Sequence, residues 1–142
     1  MKTVRQLLQA KGAQVHAIAP DAKVIEALRL MAEKEIGALA VVEGERLAGM
    51  ISERDYARKV ILQGRSSNDV PVRDIMTAKV HTVQPGSTVD ECMALMTEKR
   101  VRHLPVLDGD RLCGILSIGD LVKEVIAAQQ QTIRELETYI HS

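Results

Sequence analysis

The chain has 142 residues, and its nineteen Lys and Arg balance nineteen Asp and Glu, so the formal net charge is zero at neutral pH. No broad field favours a polyanion or an acidic membrane, and with no Phe or Trp and only Tyr56 and Tyr139 little is on hand to stack on bases, so no nucleic-acid partner is expected. No apolar run approaches the ~18 residues of a membrane span and the start of the chain lacks a signal peptide's apolar core, so a cytoplasmic protein with no membrane partner is expected.

In chain order, residues 3–9 (TVRQLLQ) predict a short helical turn, leading through Lys11-Gly12 to a strand near residues 15–18. Pro20 ends that strand, and Asp21 is placed to cap a helix whose Val24, Ala27, Leu28 and Met31 follow the i, i+3, i+4, i+7 rule. Two apolar runs, 39–42 and 47–51, flank Glu43-Gly44-Glu45 and read as a hairpin, after which Ser52 opens a helix to about Val60. Residues 64–71 are polar and turn-rich and read as a linker. The order then recurs: a turn at 72–76, a strand at 80–83, Pro85, a helix over 88–100, a hairpin through Asp108-Gly109-Asp110, and a helix from Ser117. Each half is β-α-β-β-α, so the class expected is α/β (α+β), with a first repeat at 1–63, a second at 72–128 and a helical extension at 129–142. Cys92 and Cys113 lack CxxC spacing and read as small buried residues in a reducing compartment.

The recurrence is a duplication. A shift of 65 residues aligns 15–60 with 80–125 without a gap, and 18 of the 46 pairs are identical. The identities include Pro20/Pro85, Gly44/Gly109, Gly49/Gly114, Ser52/Ser117 and Asp55/Asp120. The leaders VRQLL (from Val4) and VRDIM (from Val72) also match, with three extra residues between the first leader and its repeat. A unit this small seldom closes a core alone, so the two halves are expected to share one.

The last helix runs on beyond its twin. Val122, Ile126, Gln129, Ile133, Leu136 and Ile140 are spaced 4, 3, 4, 3, 4, a stripe that suits either packing on the chain's own body or a seam with another chain.

The chemistry gathers at GMISERD (from Gly49) and GILSIGD (from Gly114), where an apolar strand ends at Ser and Asp follows three residues later. Ser-x-x-Asp resembles a capping box, which by itself needs no ligand. A capped helix start is also an anion site, because free N–H groups and the positive end of the dipole point outward. A carboxylate one turn away suits the vicinal hydroxyls of a ribose, so Ser for phosphate and Asp for ribose together suggest a nucleotide.

The paired repeats, each with its hairpin and G-h-h-S-x-x-D signature, and the run VRHLPV (from Val101) resemble a tandem CBS-domain protein over residues 4 to 128. The resemblance implies a Bateman module: two repeats packed through their sheets about a pseudo-two-fold, usually paired into flat homodimers, with clefts for adenosyl ligands such as AMP, ADP, ATP or S-adenosylmethionine, and NAD(H) in some small members. It implies no catalytic cofactor and a role as a non-catalytic sensor for a regulated protein that the chain does not name. Carried over onto this chain, the first cleft uses Ser52, Arg54 and Asp55 with Thr77, Val80, Val101, Arg102 and His103. The second uses Ser117 and Asp120 with Val15, Ile36, Gly37 and Ala38. Gly37-Ala38 stands where the other repeat has Arg102-His103, so the first cleft is expected to hold a phosphorylated ligand more tightly. Arg58 is placed to reach a further phosphate, whereas Lys59 reads as a solvated side chain.

Other readings fit less well. A hydrolase built on Ser117, His103 and Asp120 lacks a G-x-S-x-G elbow, and the equivalent of His103 is Ala38. His16, His81, His103 and His141 offer no ligand pair at i, i+3 or i+4. An interaction module with unoccupied clefts remains the alternative to a nucleotide sensor.

Overall fold

A computed structural model describes residues 2–12 and 14–141. Helix α1 (Val4–Lys11) begins in a capping box, where Thr3 N donates to Gln6 Oε1 at 2.9 Å and Gln6 N to Thr3 Oγ1 at 3.4 Å. The first repeat follows as β1 (Ala17–Ile18), α2 (Val24–Lys34), β2 (Ala38–Glu43), β3 (Arg46–Ser52) and α3 (Glu53–Tyr56), which continues as a π-helical turn, Ala57–Ile61. A 3₁₀ turn, Val72–Asp74, leads to α4 (Val89–Lys99), β4 (His103–Asp108), β5 (Arg111–Ser117) and the long α5 (Ile118–His141). The duplicated α/β architecture stands as expected, down to bulges at matching places in both hairpins, Val41/Val42 and Val106/Leu107. Both hairpins turn on glycines in the left-handed region, Gly44 at φ 61° and Gly109 at φ 63°.

Three local expectations are corrected. The first strand is two residues long rather than four, and the second repeat has only a parallel bridge, Val83 to Val106, in its place. Ala40 donates its N–H to the His16 carbonyl at 3.4 Å, but Ala40's counterpart is Pro105, which has no N–H to give, so that ladder cannot lengthen. The helix from Ser52 is not uniformly α-helical, as its second turn widens to π geometry. Asp21 does not cap α2, whose N-cap position is Lys23. The orphan N–H groups of Val24 and Ile25 instead donate to the Val70 and Ser67 carbonyls at 2.9 and 3.0 Å. The expected linker thus packs against the first repeat, and Val70 is buried there.

The leaders are exchanged between the halves. Val4 N donates to Ser87 O and Arg5 N to Pro85 O, while Val72 N donates to Ala22 O and Arg73 N to Pro20 O, all between 2.8 and 2.9 Å. Val4 and Leu7 of the first leader consequently complete the core of the second repeat, beside Met96, Leu104, Leu116 and Leu121. Val72 and Ile75 of the second leader complete the core of the first, beside Val24, Met31, Leu39 and Ile51. A third cluster lies between the two hairpins, where Ala38, Ala40 and Met50 meet Val15, Val80, Leu112 and Ile115. Strand β2 is therefore covered on both faces, Leu39 and Val41 toward α2 and Ala38 and Ala40 toward the other repeat.

The glycine of G-h-h-S-x-x-D marks where the exchanged leader crosses. A side chain at Gly49 would put its Cβ 2.6 Å from the Thr77 carbonyl oxygen, and one at Gly114 would lie 2.6 Å from Leu8 Cδ2. At Gly49 the crossing backbone leaves no room for a side chain, while at Gly114 the obstacle is the Leu8 side chain.

Candidate functional site

Strand β5 delivers Ser117 to the start of α5, and the capping box closes there. Ser117 N donates to Asp120 Oδ2 at 2.8 Å and Asp120 N to Ser117 Oγ at 3.2 Å. The first repeat repeats the geometry, with Ser52 N to Asp55 Oδ2 at 2.9 Å and Asp55 N to Ser52 Oγ at 3.2 Å. Both carboxylates thus hold their own main chain, as the capping reading has it. Each also holds a lysine that reaches on to a carbonyl. Lys11 Nζ lies 2.7 Å from Asp120 Oδ2 and 2.7 Å from Ile115 O, while Lys59 Nζ lies 3.3 Å from Asp55 Oδ1 and 2.9 Å from Ile75 O. Lys59, expected as a solvated side chain, is 44% exposed and is also an i, i+4 partner of Asp55.

Between the repeats a cavity of about 460 Å³ opens at the second of these helix starts. All six residues carried over to the second cleft line it: Val15, Ile36, Gly37, Ala38, Ser117 and Asp120. They are joined by Lys11, His16, Glu35, His103 and Ile115. Apolar Val15, Ile36 and Ile115 line it together with polar Lys11, His103, Ser117 and Asp120, the mixture that small-molecule sites show.

His103 was expected in the first cleft, but it lines the second. The antiparallel register of β4 and β5 sets it opposite Ser117, which carries it to the α5 start. The other residues of the first-cleft set make contacts of their own. Arg102 is exposed and its carbonyl accepts from Ile118 N at 2.9 Å, while Val101 packs on the second repeat's core. Thr77 bridges Met50 through backbone hydrogen bonds of 2.8 and 3.0 Å, Val80 joins the cluster between the hairpins, and Arg54 is exposed beside the Ser52–Asp55 box. The second cleft was expected to lack phosphate donors. Lys11 and His103 nonetheless both line it.

Lys11 is the residue that sequence reasoning missed. Its signal was the three extra residues after the first leader: α1 runs for eight residues where the second leader makes a three-residue turn, and the added length carries Lys11 over the cleft. Gly12, at φ 98°, then turns the chain away.

The electrostatics follow from this packing. Burial by itself would raise the Asp120 pKa, but hydrogen bonds from Lys11 and from Ser117 outweigh it and hold the carboxyl below its ordinary value. His103 is pushed down, first by burial and then by the Lys11 charge, which with Arg102 opposes the upward pull of Asp120. The resting cleft therefore presents a fixed carboxylate, an ammonium and a neutral imidazole.

The fold is a duplicated α/β module with a cavity between its halves. The chain belongs to the CBS-domain family: residues 6–61 and 72–127 each match the model of the CBS domain, and pairs of this kind are generally regulatory, non-catalytic modules. It is 40% identical over 147 aligned residues to the mitochondrial CBS domain-containing protein CBSX3 of Arabidopsis thaliana, a match covering 97% of this chain and 71% of that one. A CBS-domain protein of Burkholderia ambifaria MC40-6 assigned to signal transduction superimposes with a TM-score of 0.86 at 57% identity, over 90% of this chain and 96% of that chain. At 23% identity the CBS domain pair of MJ0100, solved in complex with 5′-methylthioadenosine and S-adenosyl-L-methionine, shares the fold with a TM-score of 0.78, over 91% and 98% of the two chains. Among the described residues no helix is long and apolar enough to cross a membrane.

Proposed function

We propose that the protein is a non-catalytic sensor whose second cleft takes an adenosyl nucleotide, AMP, ADP, ATP or NAD(H), and which signals through the geometry of a homodimer. The observation that carries this reading is the open cavity at the α5 start, where apolar walls, a ribose-type carboxylate and two phosphate-type donors meet. Adenine fits between Val15, Ile36 and Ile115; Asp120 accepts from the ribose hydroxyls; Lys11, His103 and the α5 amino end face the phosphate. The bound adenosyl compounds of MJ0100 belong to that protein and lend this reading the support of a shared fold. No group in the cleft is asked to break a bond. A ligand that prefers one angle between the halves shifts the population toward it, and the exchanged leaders transmit the shift because each half owns part of the other's core.

The Ser52–Asp55 box is the second adenosyl site of the same reading, with Arg54 and Thr77 at its edge. We rank the second cleft first, because a cavity of about 460 Å³ opens at its helix start.

One observation favours the rival reading, an interaction module that binds no nucleotide: both carboxylates are already engaged by main chain and lysine. Thermal shift with AMP, ADP, ATP, NADH and S-adenosylmethionine separates the two. A nucleotide at 100 times its dissociation constant adds ~2.7 kcal/mol of stability. Silence from all five compounds leaves the interaction module.

A further inference from the structure

Helix α5 outruns the body that supports it. Leu121 is fully buried and Val125 packs on the second repeat's core, but every residue over 126–141 is exposed. An isolated helical stretch of this length is marginal in water, so its stability calls for packing. The stripe that would supply it is bare: Ile126 is 49% exposed, Ile133 54%, Leu136 56% and Ile140 72%.

We infer that this stripe pairs antiparallel with the same stripe of a second copy. The spacing is self-complementary about position 131. Reversing one helix sets Val122 against Ile140, Ile126 against Leu136 and Gln129 against Ile133, and each pair recurs by symmetry. The charges flanking the seam choose the same direction. Lys123 at one end falls beside Glu137 of the other copy, twice per pair, whereas a parallel pair sets Val125 near Gln130 and Thr132 near Glu137 and joins no opposite charges. Among the described residues neither Lys123 nor Glu137 has an ion-pair partner within its own chain. A groove of about 470 Å³ beside the seam, floored by Val89, Val125, Ala128 and Ile133, receives the incoming helix. From Val122 to Ile140 the contact spans ~27 Å at the helical rise. The inference is independent of any nucleotide.

The test uses the full chain carrying Ile126→Cys and Leu136→Cys, oxidised and mapped by peptide mass. These positions lie ~15 Å apart on one helix, far beyond disulfide reach, so a bond joining them must cross between chains. The expected product links 126 of one copy to 136 of the other. Links of 126 to 126 and 136 to 136, or no cross-chain link, overturn the proposal. In an otherwise native chain, Lys123→Glu sets like charges together at both ends and is expected to weaken association by about tenfold. Adding Glu137→Lys is expected to restore it; failure of that rescue also overturns the antiparallel pairing.

Discussion

Lys11 and Asp120 meet at 2.7 Å although 109 positions separate them in sequence, and this pair ties the exchanged leader of the first repeat to the cleft between the halves. The lysine side chain is 39% exposed and the carboxylate 23%, so screening leaves the pair a small stabiliser, within ~1 kcal/mol. On the proposed reading its weight lies in ligand choice: a ribose taking Asp120 would share it with Lys11, and the ammonium would then be placed to serve a phosphate.

Lys11→Met is therefore expected to weaken binding of AMP by roughly 10- to 100-fold, the value of one charge-assisted hydrogen bond, while leaving adenosine within a few-fold. Isothermal titration of both ligands reads the difference. Equal losses for adenosine and AMP would place Lys11 outside the phosphate subsite.

His103 gives the cleft a pH dependence. Its folded pKa lies below the unfolded value of about 6.5, so between the two the unfolded chain holds more protons and stability rises with pH. This contribution is complete above that value and is lost as pH falls toward the folded pKa. Melting temperature is expected to drop from pH 7.5 to 5.5, and His103→Asn to flatten part of the slope. A phosphate beside the imidazole pulls the pKa back up, so AMP affinity should rise over the fall from pH 8 to 6; affinity unchanged by pH in the native chain counts against His103 as a phosphate partner.

The duplicated glycines are equivalent in sequence and unequal in consequence. A methyl at Gly49 meets the Thr77 carbonyl, which is held in place by Met50 N at 3.0 Å, while one at Gly114 meets the free end of the Leu8 side chain. Gly49→Ala is expected to cost about 1–3 kcal/mol by overpacking against backbone, and Gly114→Ala less, because a leucine rotamer can yield. Urea midpoints for the two variants decide it, and equal costs would mean that the second leader gives way as easily as the first.

Much of this architecture is written in local patterns. The 65-residue repeat, the hairpin glycines and the periodicity of α2 and α4 are short-range signals, and they carry the β-α-β-β-α order. The residues of the second cleft were legible for the same reason, since Ser117, Asp120, Gly37 and Ala38 all sit at element boundaries. What escaped was long-range. No pattern within residues 4–11 says that Val4 and Leu7 belong to the core of the other repeat, nor that the Val70 carbonyl does the capping expected of Asp21. That His103 lines the cavity at the α5 start depends on the β4–β5 register, which no local pattern states, and Lys11 escaped because three added residues look like slack until the helix they lengthen is seen.

The exchange of leaders carries a last consequence, for cooperativity. Ile75 is 1% exposed in the core of the first repeat although it precedes the second, so Ile75→Ala is expected to cost about 2–5 kcal/mol. Cys92 reports the opposite half: it is fully buried in the second core, and burial, with the Glu91 charge, pushes its thiol up to about 11, so it is inert while that core is closed. Were the halves independent domains, Ile75→Ala would loosen the first and leave Cys92 labelling unchanged. Because each leader lies in the other half's core, the two should open together in a single transition. Thiol labelling of Cys92 is therefore expected to accelerate in Ile75→Ala by the factor that its loss of stability dictates, and labelling at the native rate would show that the exchanged cores unfold separately.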